Sequence, residues 1–115
     1  MNQTSTDIRK ALPRVTERQF QAQVEKYLRL CGYLVYHTYL SIKSAPGFPD
    51  ILAVKPGERG EAGRVLAIEL KTIDGKISAN QALWGEAFAA VGGNVEYFLW
   101  RPTDACWLEI ERVAR

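Results

Sequence analysis

Gly47-Phe48-Pro49-Asp50-Ile51-Leu52-Ala53-Val54 and Arg64-Val65-Leu66-Ala67-Ile68-Glu69-Leu70-Lys71 decide how this chain folds. Both stretches are rich in β-branched and aliphatic residues and are bounded by turn formers, the pattern of strands. Residues 55–63 between them hold Pro56, Gly57, Gly60 and Gly63 among charged side chains, the composition of a long hairpin turn. A hairpin symmetric about that turn pairs Val54 with Val65. Counting outward along both strands then sets Asp50 directly opposite Glu69. Lys71 lies two residues beyond Glu69, and the two-residue period of a strand puts both side chains on one face.

Upstream of this hairpin, Thr16-Glu17-Arg18-Gln19 is a capping-box pattern, and Phe20, Val24, Tyr27, Leu28 and Cys31 follow at helical spacing as far as Gly32. Residues 33–40 read as a first strand, before the turn-prone Ser44-Ala45-Pro46-Gly47. Downstream, Ser78-Ala79-Asn80-Gln81 repeats the capping box. Leu83, Trp84, Ala87, Phe88 and Val91 then predict a second helix that stops at Gly92-Gly93. Residues 95–100 form another strand pattern, which Arg101-Pro102 ends, and residues 103–113 read as a helix in preference to a further strand. The expected order is αβββαβ, an α/β class with a central mixed sheet flanked by helices. Residues 1–13, polar and without sustained periodicity, read as a flexible N-terminal arm, and residues 14–115 as one domain.

With 47% hydrophobic and 24% charged residues, the composition is that of an ordinary soluble domain and excludes a disordered or collagen-like chain. The formal charge of +2 permits contact with nucleic acid without demanding it. Two cysteines without a CxxC pair and a single histidine argue against zinc. No apolar run suits a signal peptide or a membrane span, so a cytoplasmic location is expected, with Cys31 and Cys106 as small apolar residues.

Two carboxylates and an ammonium set into apolar strands call for a chemical reason. Opposed carboxylates in a half-buried site repel, and the repulsion raises one pKa unless a cation intervenes. Ligands that are all oxygens suit hard ions, magnesium with manganese as its substitute. Such an ion lowers the pKa of a bound water, and with Lys71 it offsets charge on a phosphate in the transition state. Helix geometry adds an acid: at 100° per residue Glu17 falls about 40° from the centre of the first apolar stripe, whereas Glu25 falls about 115° away and reads as solvated. In the second helix Gln81 shares the face of Trp84 and Phe88, so its amide can reach the same cleft and orient water or phosphate.

These motifs together, PD at Pro49-Asp50, ExK at Glu69-Leu70-Lys71, the Thr16-Glu17-Arg18-Gln19-Phe20-Gln21 opening and the Ser78-Ala79-Asn80-Gln81 helix start, resemble the VRR-NUC family of PD-(D/E)xK nucleases over about residues 16–104. The resemblance implies a restriction-endonuclease-like core and DNA phosphodiester hydrolysis. It implies that Asp50, Glu69 and the carbonyl of Leu70 bind the metal, that Glu17 adds to the metal site, and that Lys71 and Gln81 assist the attacking water. It further implies a homodimer acting on branched DNA such as four-way junctions, in replication or repair and in a phage-like setting.

Plainer roles stand beside these. Asp50 also suits a turn, Glu69 and Lys71 a solvated strand face, Glu17 a helix N-terminus and Gln81 a capping box. Trp84, Phe88, Trp100 and Trp107 read as core rather than as base-stacking platforms, and His37 as a packed or hydrogen-bonded residue. Among the surface cations Lys43 and Lys76 are the candidates for phosphate contact. The short chain leaves no separate recognition domain, so substrate is expected to be read through backbone and shape. A nucleic-acid-binding module with a vestigial site is the alternative function. A hydrolase of small phosphorylated molecules would need a closed pocket.

Overall fold

The structure, a computed structural model, describes residues 15–38 and 45–115. Its elements are α1 (Glu17–Leu30), β1 (Leu34–His37), β2 (Ile51–Lys55), β3 (Arg64–Leu70), α2 (Ala79–Ala89), β4 (Val95–Trp100) and α3 (Asp104–Ala114). The four strands form one mixed sheet in the order β1-β2-β3-β4, antiparallel from β1 to β3, with β4 parallel to β3. A parallel neighbour needs a crossover, which α2 supplies. The α/β class and mixed sheet agree with the sequence reading, and α3 extends the order to αβββαβα. Thr103 starts α3 by accepting from the Cys106 N–H at 3.1 Å. Among the described residues no helix is long and apolar enough to cross a membrane.

Strand alternation splits the sheet into two unlike faces. On one, Phe20, Val24 and Leu28 of α1 and Ile110, Val113 and Ala114 of α3 bury against Ile51, Ala53, Leu66, Ile68, Leu70 and Trp100. Trp107 closes this core edge-on against Phe20 (5.8 Å) and Tyr27 (6.5 Å). Trp100 stacks on Phe98, and its indole N–H donates to Glu109 at 3.1 Å. Trp100 is thus a core residue, as its sequence context indicates, and Trp107 is a partly buried residue packed against that core.

The other face differs from expectation. In α2 the buried residue is Gly85, where a Cβ would meet the Tyr97 ring at 2.7 Å, so the helix backbone rests directly on that ring. Trp84 and Phe88 are half-buried and lie outside the main core, in a satellite cluster with Phe48 at ring separations of 5.0–6.0 Å. Leu83 and Val91 are 64% and 62% exposed. The buried arc of α2 is rotated by roughly 80° from its apolar stripe, because glycine contributes close approach without hydropathy.

The candidate active site

The β2–β3 register sets where the acids meet. Val54 pairs with Val65 and Ile51 with Ile68, so the next position outward puts Asp50 opposite Glu69, as hairpin symmetry predicts. The register is reinforced through side chains, because the Leu70 N–H donates to Asp50 Oδ2 at 2.8 Å. Thr38 fixes the approach to Asp50 from the neighbouring strand: its hydroxyl donates to the Pro49 carbonyl and its N–H to the Asp50 carbonyl, both at 2.8 Å. Gly47 brings this segment against the start of α2. Its φ of 82° disfavours any side chain, and a Cβ there would collide with the Asn80 carbonyl group and approach Gln81 N to 2.6 Å.

Glu69 is 2% exposed, an unusual position for a carboxyl group. Lys71 Nζ stands 3.9 Å from its Oε2 and is itself largely covered, on the strand face that alternation assigns. Gln81 carries two roles in one amide. Its Oε1 accepts from the Ser78 N–H at 2.9 Å, completing the capping box, while its Nε2 donates to Glu69 Oε2 at 3.1 Å. The capping bond and the bond to Glu69 therefore coexist in one side chain. Thr16 and Gln19 build the equivalent box on α1.

Burial pushes the Glu69 carboxyl from an ordinary 4.5 up to about 8, helped by a hydrogen bond with Asp50 and the charge of Asp50, opposed by Lys71, and raised slightly further by Glu17. The direction is that expected of opposed carboxylates, although desolvation contributes more than repulsion. Tyr97, also on this face, has its hydroxyl pKa raised by burial first and then by Glu69 and Asp50.

Beside these groups lies a cleft of about 800 Å³, whose lining includes Glu17, Glu25, His37, Phe48, Asp50 and Gln81. Glu17 is exposed on its wall, near enough for its charge to act on Glu69. Glu25 corrects the helical-angle reading: it is 7% exposed rather than solvated. Its carboxylate accepts from Gln21 Nε2 (2.9 Å) and Arg29 (3.2 Å) and lies 3.2 Å from His37 Nδ1. The end of β1 covers that side of α1, so the buried arc extends past the apolar residues that marked its centre. The Gln21/Glu25/Arg29 spacing of four residues was the available signal. His37 is hydrogen-bonded, as its strand context suggests. Lys76 is exposed, and Lys43 lies outside the described residues. Cys31 and Cys106 are free thiols; Cys31 packs against the core and Cys106 Sγ accepts from the Arg101 N–H.

Asp50 and Glu69 offer oxygen donors only, which suits a hard divalent ion. Asp50 is among the groups that raise the Glu69 carboxyl, as two facing carboxylates should, and a cation would relieve that conflict. Among the described residues, however, no group of three or more His, Cys, Asp and Glu is gathered closely enough to hold an ion. Asp50 and Glu69 are brought together, and Glu17 lines the same cleft as Asp50. Comparison with protein-family models, curated proteins and solved structures finds no match for the chain.

Proposed function

We propose that this protein is a metal-dependent DNA endonuclease of the PD-(D/E)xK type, akin to the VRR-NUC family. The observation that carries this reading is the convergence of Asp50, Glu69 and Lys71 on one face of the sheet with Gln81 of α2 against Glu69, beside a cleft that Asp50 and Gln81 line. Asp50 and Glu69, with the Leu70 carbonyl, would hold magnesium or manganese, and Glu17 would add to the same metal site. When bound, such an ion supplies a water of lowered pKa and neutralises charge on the phosphate. The chain's own groups do the remainder. The Leu70 N–H fixes one oxygen of Asp50, and Gln81 Nε2 fixes one oxygen of Glu69. Lys71 presents its ammonium to the charge that develops on the phosphate oxygens, in a site where burial strengthens the interaction.

The substrate is branched DNA such as a four-way junction, cut by a homodimer whose two sites address two strands, with Lys43 and Lys76 touching flanking phosphates. The test uses end-labelled linear, flapped and four-way-junction DNA with magnesium, manganese or EDTA, resolved on a denaturing gel. Wild type is expected to cut only with metal, and Lys71→Ala or Asp50→Ala to lose on the order of 10²-fold or more in rate. Salt-sensitive binding without cleavage on any substrate would replace the reading with a binding module. Crosslinking that finds only monomer on DNA removes the dimer.

A further inference from the structure

The segment that follows Lys71 is held from an unexpected direction. Arg101, the first residue beyond β4, directs one guanidinium nitrogen, Nη1, at three backbone carbonyls of the 72–75 loop. It donates to Thr72 at 2.7 Å, Ile73 at 3.3 Å and Gly75 at 2.6 Å. The preceding residue, Trp100, accepts from the Lys71 N–H at 3.0 Å, so the end of β4 holds both Lys71 and the loop leaving it. A cation aimed at a cluster of carbonyls is a stronger tie than neutral loop contacts, and the planar fork of arginine suits it better than lysine does.

The loop in turn touches the Lys71 side chain. A Cβ built on Gly75 would lie 3.3 Å from Lys71 Cδ and 3.0 Å from Thr72 Oγ1, so the glycine backbone packs against the aliphatic stem. That stem belongs to a side chain only 15% exposed, whose ammonium lies 3.9 Å from Glu69 Oε2. Four methylenes carry many rotamers, and a wall along the stem removes most of them. We infer that Arg101 is a positioning residue for Lys71: it clasps the 72–75 loop so that Gly75 forms the wall that keeps the Lys71 ammonium beside Glu69. The geometry stands without the nuclease reading, while its consequence for cleavage rests on it.

Two readouts separate these levels. Lysine acylation followed by mass spectrometry reports how accessible Lys71 is, without any activity. Arg101→Gln is expected to raise Lys71 labelling about three-fold or more while Lys26, exposed on α1, labels as before. Arg101→Lys should give an intermediate rise. Gly75→Ala, which leaves the loop carbonyls and Arg101 in place, should also raise it by crowding the stem outward. Thermal melting selects variants that remain folded. In cleavage, Arg101→Gln should lower kcat about ten-fold with KM for DNA unchanged, since misplacing one reacting group costs chemistry rather than binding. Unchanged Lys71 labelling in folded Arg101→Gln and folded Gly75→Ala overturns the clasp, and so does a loss of cleavage carried entirely by KM. If wild type cuts no DNA, the nuclease reading fails and the labelling alone still decides whether Arg101 confines Lys71.

Discussion

The two faces of the sheet are built on opposite terms. Under α1 and α3, the side chains of Ile51, Leu66, Ile68, Leu70 and Trp100 are fully buried in an apolar core. Under α2, the alternate positions of the same strands carry Asp50, Glu69, Lys71 and Tyr97, and the covering helix is seated through a glycine. Apolar burial and dispersion stabilise the first face. The second face gives up part of that gain to bury a carboxyl group that only its neighbours tolerate. The difference teaches that one strand can support both tasks, because alternation delivers Leu70 to the core and Glu69 and Lys71 to the site from consecutive residues.

Truncating side chains on each face should produce the largest and most unequal effects. Trp100→Ala is expected to lose about 3–5 kcal/mol and Ile68→Ala about 2–5 kcal/mol of unfolding free energy, since both leave cavities in a closed core. Leu83→Ser on the exposed side of α2 should stay within about 0.5 kcal/mol. Urea denaturation measures all three. A loss at Leu83 as large as that at Ile68 would mean that the α2 face is covered in solution.

The buried carboxyl of the second face should also make stability depend on pH. The folded carboxyl of Glu69 titrates near 8 and its ordinary value is 4.5, so between those limits the native state holds a proton that the unfolded chain has released. Stability from this group is therefore fully present below the lower value, falls as pH rises, and levels off above the upper one. The slope approaches about 1.4 kcal/mol per pH unit in between. Glu69→Gln keeps the shape without the titration, so wild type minus variant should fall across this window while the variant alone is flatter. Magnesium, which favours the ionised carboxylate, should raise the wild-type melting temperature more at pH 8 than at pH 6. A difference curve that rises with pH would overturn the assignment.

How much of this was legible in the sequence follows from the range of each interaction. The Val54/Val65 register needed only a symmetric hairpin, and both capping boxes needed only four residues. Asp50, Glu69, Lys71 and Gln81 came together because local periodicity alone fixes their faces. The same logic misplaced Glu25, whose cover comes from β1, and Trp84 and Phe88, whose helix is seated through Gly85. The clasp from Arg101 to the 72–75 loop joins residues more than two dozen positions apart, and no local pattern encodes it. Glu17 lies on the cleft wall that its helical angle indicates, but an angle gives a direction and no distance to Glu69.

The two capping boxes provide the finest comparison, since the same four-residue device begins a helix on each face. Thr16→Ala and Ser78→Ala each remove a side-chain acceptor from an N-cap and should each cost about 1 kcal/mol. Their effects on cleavage should part. Gln19, the partner in the α1 box, is exposed and bonds Thr16, whereas Gln81 spans from the Ser78 N–H to Glu69 Oε2. Loosening the first turn of α2 therefore frees the amide that holds Glu69, and Ser78→Ala should slow cleavage a few-fold while Thr16→Ala leaves it near wild type. Rates measured at matched folded fraction decide it. Equal slowing by both would mean that Gln81 serves α2 as a cap and contributes nothing to Glu69.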